Sequence, residues 1–506
     1  MPLSLPLYAL TTALMLAPVD DIGPNAEPQA EQARIQVRMD HFLATLRDSF
    51  GVQSGMAIAL VEGDRVIYKG NFGYADVEHQ VQVDDQTLFY IASITKPLFA
   101  LTWLQDKGAA SLDESLAGLY PGVPFAADIQ ASQVKVRQLL SHSAGLDEVL
   151  LQDAMAVSGL HDRQRRRLML AKLEPNMQAP LGQFQYTNLG YDLLGDNLAP
   201  SWQQAMKKAV FKTLGMDHST ASLSEARRQG WHIARPYSFF SPHPSKALYL
   251  EKADSTQHPA GGVFATAGDM ARLLEAELNG GKVEGHQGLP AKVVALSQQQ
   301  QVALDDKHGD FQRSGYALGW FLGQYKGQLT YHHFGSFDGY RPHLSFMPAP
   351  KLGMVILDNE SELNDKLTDL VADYGYGLML DEPGLDQRLA GRVAALKKMA
   401  FAARDKLLAK EAAYQAQPYQ FSLPLGAYLG RYRHPLAGPM EVTSDGRFLL
   451  LRWGRVKSLG TASGQPDRLR VKFRPTKGQW LRFDVKGGQV EGLDYDGIHF
   501  TKEKAG

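Results

Sequence analysis

The sequence predicts an α/β fold followed by a separate antiparallel β-domain. Three observations support this. Helical periodicity recurs between residues 31 and 416, interleaved with short strand-like runs. Runs near residues 56–68 and 329–358 are separated by Gly/Asp turns, as in antiparallel hairpins. From about Tyr419 the periodicity shortens to alternating runs between Gly, Asp and Pro turns.

Taken in order, residues 3–18 form an apolar run too short for a membrane span, which needs about 20 residues. Its length suits the core of a secretory signal, although the first basic residue is Arg34 and Met15 crowds the cleavage region near Ala17. Export to a periplasmic or extracellular space is the expectation. Residues 19–30 read as a linker, closing a 1–30 leader. An amphipathic helix is expected from about Glu31 to Phe50 (Ile35, Met39, Phe42, Leu43, Leu46), then strands over Met56–Val61 and Arg65–Tyr68 around the turn Glu62-Gly63-Asp64.

A helix is expected to carry Ser93 and run to about Lys107, with Gly108 as its stop. Residues 109–330 read as helices and long loops, including a helix over Asp269–Leu278. Arg165–Arg167 is expected on a solvated helix face, and Gln298–Gln301 on an exposed helix. Leu329–His333, Leu344–Met347 and Met354–Asp358 read as strands, and Leu363–Leu380 as a helix. A helical connector spans 385–418, and the β-domain spans 419–506.

The 506 residues suffice for two or three domains. A net charge of -1 gives no electrostatic case for nucleic acid or an anionic membrane surface. With no cysteine, disulfides, thiolate catalysis and cysteine metal sites are excluded.

Three short patterns carry chemistry. In Ser93-Ile94-Thr95-Lys96, the hydroxyl and amine sit three residues apart on one helical face, where a neutral amine can take the serine proton. Pro97 is tolerated in a first helical turn. In Tyr186-Thr187-Asn188, two side chains two apart in an extended loop point the same way; the phenol can relay a proton and the amide can bind a carbonyl or hold the lysine. In His333-Phe334-Gly335-Ser336, Gly335 admits a close backbone approach, the Ser336 N–H can face an oxyanion, and His333 can line the site. His332 and His333 are adjacent, so on a strand they face opposite sides and cannot chelate one metal together. No His-Glu-x-x-His run, phosphate loop or Gly-x-Ser-x-Gly elbow is present, so no metal or cofactor is expected.

In this order, and with Phe89–Lys96, Leu139–Leu146, Tyr186–Gly195, Pro259–Thr266, Tyr316–Trp320 and His333–Arg341 around them, the motifs resemble the serine β-lactamase and penicillin-binding-protein superfamily in its class C-like branch. The resemblance covers roughly residues 35–380. It implies an antiparallel sheet flanked by helices with an inserted helical domain, together spanning 31–384, and a site between them. It also implies roles: Ser93 as acylated nucleophile, Lys96 as its proton partner, Tyr186 as base or relay, Asn188 orienting substrate and Lys96, and the Ser93 and Ser336 amides as oxyanion hole. Tyr428–Tyr432 resembles the opening of barrel-like modules appended to such hydrolases.

Class C β-lactamases usually carry lysine where this chain has His333, and histidine there resembles the DD-peptidase, D-aminopeptidase and esterase members. Phe334 is expected to narrow the site. The expected activity is therefore hydrolysis of esters, amides or peptides through an acyl-enzyme. The alternative is a penicillin-binding sensor that acylates with little turnover, or a weak β-lactamase. The expected partner is a small-molecule or peptide substrate, cell-wall material being one candidate, with no nucleic acid and no stable membrane span.

Overall fold

The computed structural model describes residues 26–147, 154–160, 162–361 and 363–504. The apolar run 3–18 lies outside them. Helix α1 (Ala26–Phe50) starts five residues before the expected Glu31, so the segment taken as linker already belongs to the helix from Ala26.

After α1 come β1 (Met56–Glu62) and β2 (Arg65–Phe72), then a mostly helical stretch containing α2 (Thr95–Lys107), α3 (Leu189–Gly195) and α4 (Ala267–Leu278). Six further strands follow: β3 (Val302–His308), β4 (Phe311–Tyr316), β5 (Phe321–Tyr325), β6 (Gln328–Phe334), β7 (His343–Met347) and β8 (Leu352–Asp358). They join β1 and β2 in an eight-stranded antiparallel sheet ordered β3-β4-β5-β6-β7-β8-β1-β2.

Both faces of the sheet are covered. Helix α4 packs on one face, while α1 and α5 (Asn364–Met379) cover the other. Strand β1 shows the consequence of period-two alternation. Ala57, Ala59 and Val61 enter the core shared with α4, whereas Met56, Ile58 and Leu60 enter the core shared with α1 and α5. Burial on both sides explains its unbroken apolar run.

The sequence reading missed β3, β4 and β5. They form the edge of the sheet, where Asp305, Asp306, Lys307 and Gln312 face outward, and such charges disguise an edge strand as a loop. Two local readings also change. Helix Ala291–Ser297 stops before Gln298, whose amide donates to Glu277 at 2.6 Å instead of lying on an exposed helix. Arg167 is exposed, but Arg166 makes a two-pronged bond to the nearly buried Asp196.

Helix α6 (Leu385–Gln415) buries only Leu385, Leu389, Leu396 and Ala400, a single stripe facing α1 and α5. Arg388 grips the buried Asp373 of α5 through both carboxylate oxygens, at 2.6 and 2.8 Å. At the other end of α6, Glu411 meets Arg470 and Lys472 at 2.6 and 2.7 Å.

Those two side chains belong to a nine-stranded antiparallel sheet between Gly430 and Lys502. Its first and last members in spatial order, Val456–Leu459 and Thr461–Ala462, are consecutive in the chain, so the sheet curls into a nearly closed barrel. Trp453, Tyr432, Leu469, Phe483, Tyr495 and Phe500 fill it. The same apolar cluster continues into Tyr90, Phe337 and Tyr340 of the sheet domain. Among the described residues no helix is long and apolar enough to cross a membrane.

Glu277 of α4 is buried beneath this framework, and burial pushes its carboxyl up to about 7. The folded value exceeds the ordinary 4.5, so the native state holds the extra proton. The stability this gives is complete below about pH 4.5 and is lost as pH rises through about 7. Thermal melts from pH 4 to 8 should show Glu277→Gln matching the parent at the acid end and exceeding it by a margin that widens up to about pH 7 and levels off above it. A pH-independent gap would contradict this account.

Candidate active site

The turn before α2 is fixed by a short strand that reaches it. Phe89–Tyr90 pairs with Phe264–Ala265, and the Ile91 N–H donates to the Val263 carbonyl at 3.0 Å. The Val263 N–H in turn donates to Thr95 Oγ1 at 3.2 Å. One residue therefore ties down both sides of the turn. Between these anchors Ala92 adopts φ +44, a left-handed conformation costing a non-glycine residue about 1–2 kcal/mol. Ser93 follows in a 3-10 turn over Ala92–Ile94, just ahead of α2 and not inside it. It is half-buried, and the three-residue spacing still brings Lys96 onto its side.

Lys96 is buried, and its Nζ lies 3.1 Å from Ser93 Oγ, 2.8 Å from Asn188 Oδ1 and 2.9 Å from the Ala260 carbonyl. The amide and carbonyl oxygens can only accept. They take N–H bonds from the amine, which also lies within hydrogen-bond reach of the serine oxygen. The ring of Tyr186 stands 4.8 Å from Nζ and that of Tyr191 5.5 Å. Four sequence-predicted residues, Ser93, Lys96, Tyr186 and Asn188, thus converge.

Asn188 caps α3, and Asp192 lies one turn further along the same face. Asp192 accepts the Ala260 N–H at 3.2 Å, which orients the peptide whose neighbouring carbonyl holds Lys96. His258 Nδ1 lies 3.2 Å from the same carboxylate oxygen. Burial lowers the His258 pKa against the pull of Asp192. Gly190 is required for this packing, because a Cβ there would fall 2.1 Å from the Leu139 carbonyl oxygen.

His142 was not singled out from the sequence. Its φ is +57, and its ring packs 4.4 Å from that of Tyr186. The Thr187 N–H donates to His142 Nδ1 at 3.3 Å, so the proton resides on Nε2, which donates to the Tyr316 hydroxyl at 3.1 Å. Burial first, then Lys96 and His333, holds the imidazole well below its ordinary pKa. Burial likewise keeps the Tyr316 and Tyr191 hydroxyls protonated.

His333 is buried near the end of β6, its ring 6.0 Å from that of Tyr186 and 6.2 Å from that of Tyr316. Its Nδ1–H donates to the Phe334 carbonyl at 2.9 Å, which leaves Nε2 as an acceptor with no hydrogen-bond partner among the described residues. Burial and the nearby Lys96 hold it neutral. His332 turns the other way, accepting from Arg313 Nε at 3.0 Å.

Phe334 does not narrow the site. Its ring stacks with His332 at 4.9 Å and His343 at 4.7 Å and meets Phe311 at 5.3 Å, away from Tyr186. The cause is the alternation of strand side chains, which sends residues 332 and 334 one way and 333 the other.

Beyond β6, Gly335 donates its N–H to Pro342 at 2.8 Å. A Cβ at Gly335 would lie 2.6 Å from the Ile91 carbonyl oxygen, so the Gly335–Ser336 peptide rests against the turn leading into Ser93. Ser336 is exposed. Among the described residues no cluster of three or more His, Asp or Glu side chains is arranged to hold a metal ion.

The chain is similar to known proteins. A family model described as Beta-lactamase matches residues 43–389. "Protein flp" of Staphylococcus aureus (strain N315) is 25% identical over 326 residues, covering 62% of this chain and 61% of that protein, so the match spans about three fifths of that relative. "Penicillin-binding protein 4" of Amycolatopsis lactamdurans is 26% identical over 349 residues, covering 67% of this chain and 88% of that protein. The octameric penicillin-binding protein homologue from Pyrococcus abyssi superposes with a TM-score of 0.56 at 20% identity, covering 92% of this chain and 99% of that one. SurE superposes at 0.53 with 22% identity, covering 94% and 100%. These two likenesses bear on the fold. With a family match over most of its length, this chain belongs to the beta-lactamase family.

Proposed function

We propose that this chain is a serine hydrolase that forms an acyl-enzyme on Ser93 and acts on small esters, amides or peptides. The position of Lys96 Nζ carries this reading. Two oxygens that only accept hold the amine, and it lies 3.1 Å from the Ser93 hydroxyl oxygen. In its neutral form the amine takes the hydroxyl proton while Oγ bonds to the substrate carbonyl carbon. The oxyanion that forms is met by the Ser93 and Ser336 amides. Collapse breaks the carbon–heteroatom bond, and the leaving group takes a proton through Lys96 and Tyr186. Water then attacks the ester carbonyl, with the same groups accepting its proton, and frees Ser93.

The neutral His333 supports peptidase or esterase chemistry over efficient β-lactam hydrolysis. A lysine there would offer a fixed cation to a substrate carboxylate, whereas an uncharged imidazole with a bare Nε2 accepts a hydrogen bond. Neutral or donor-bearing substrates, D-aminoacyl compounds and cell-wall peptides among them, fit that chemistry. The apolar run at residues 3–18 supports action outside the cytoplasm.

The first test is a panel of short esters, D-aminoacyl amides, D-Ala-D-Ala peptides and nitrocefin. Ser93→Ala should fall to about 1% of the parent rate or less on whichever substrates turn over. Equal rates for the two would end the proposal. Second, His333→Lys should raise kcat/KM for nitrocefin relative to a neutral ester by about fivefold, since about 1 kcal/mol of new charge pairing is worth that ratio. Third, Gly335→Ala meets the Ile91 carbonyl oxygen at 2.6 Å and the Pro342 ring at 2.5 Å and must push the two turns apart, so kcat should drop by about tenfold or more with a smaller change in KM. Both effects are read from steady-state kinetics.

A further inference from the structure

The β6–β7 connection, residues 335–342, carries a carboxylate that the chemistry above does not use. Asp338 is wholly buried at the tip of the turn between Phe337 and Tyr340, whose backbones pair with each other. Hydrogen bonds to its carboxylate come from the barrel. Arg474 Nε donates to Oδ2 at 2.7 Å, and the Thr476 N–H and hydroxyl donate to Oδ1 at 3.3 and 2.5 Å. Arg474 also lies 5.7 Å from the ring of Phe337. On its other side Phe337 meets the Tyr90 ring at 5.4 Å, and Lys252 Nζ sits 4.3 Å from its centroid. Tyr90 lies in the short strand that leads into the Ser93 turn.

Ser336 is two residues from this carboxylate and one from Phe337. A buried carboxylate stripped of its donors is strongly unfavourable, and it is relieved by taking a proton or by a shift of the turn that brings Asp338 towards water; either way the turn loses its tether to the barrel. Loss of that tether lets the Ser336 amide shift away from Ser93. The barrel has independent footholds, including the Arg455 N–H on the Ser158 carbonyl at 3.0 Å and the Tyr249 hydroxyl on the Lys472 carbonyl, so loss of one ion pair leaves it docked.

We propose that Arg474 and Thr476 of the C-terminal barrel are positioning residues for the reaction, holding the Ser336 amide in register with Ser93 through Asp338. The proposal rests on the hydrolase reading above. It makes the barrel part of the catalytic framework and not a passive appendage.

The experiment compares the full chain with Arg474→Ala, Arg474→Lys, Thr476→Val and Asp338→Asn. Lys457→Ala, on an exposed barrel position, serves as the control. Each is assayed with para-nitrophenyl acetate and checked by circular dichroism and thermal melting. Arg474→Ala should lower kcat by about tenfold, less than the 10²–10³ for complete loss of an oxyanion donor, with KM within about twofold. Arg474→Lys should recover much of that loss, and Thr476→Val should lose less than Arg474→Ala. If Arg474→Ala fails to fold, Thr476→Val and Asp338→Asn must show the same selective fall in kcat. Folded variants with the kcat of Lys457→Ala overturn the positioning role while leaving the hydrolase reading intact. Equal rates for the parent and Ser93→Ala overturn both.

Discussion

The site depends on one ammonium-sized group held among three oxygens. Lys96 is buried, so its amine cannot be left to water. Asn188 and the Ala260 carbonyl accept from it, and the Ser93 oxygen lies within hydrogen-bond reach. Other features near it serve that geometry. Asp192 and His258 hold the Ala260 peptide, and Val263 ties both ends of the nucleophile turn. The left-handed Ala92 persists because the paired strand before it and the Thr95 hydrogen bond after it leave the chain no easier path.

Around this centre the electrostatics are those of one titratable cation in an aromatic and neutral setting. The Tyr186 and Tyr191 rings stand 4.8 and 5.5 Å from the amine. The two closest histidines, His142 and His333, are both held uncharged, partly by Lys96 itself. A second positive charge beside the amine is thus avoided.

Much of this was legible in the sequence where the signal is local. Ser93 and Lys96 are three residues apart, and a helical turn converts that spacing into contact. Tyr186 and Asn188 flank one residue at a helix entrance. The Ala260 carbonyl could not be read, because a backbone oxygen leaves no trace in residue identity. His142 and Asp192 escaped for a related reason: each acts on a neighbour, Tyr186 or the Ala260 peptide, brought close only by the fold. The expectation that Phe334 crowds the site failed on a parity argument already applied to His332 and His333. The edge strand β3 was read as loop because its outward residues are charged, and β4 and β5 were missed with it. Asp338 looked like an ordinary turn residue, since its partners come from more than a hundred positions later in the chain.

Helix α6 gives the barrel's placement a rotational meaning. It is one continuous element of 31 residues, pinned to α5 by Arg388 and to the barrel by Glu411. At 1.5 Å and 100° per residue it behaves as a threaded rod about 45 Å long. Adding a single residue between Leu396 and Glu411 would lengthen it by little but swing everything beyond by about 100°. The azimuth of the rod, more than its reach, therefore decides which edge of the barrel arrives beside the nucleophile.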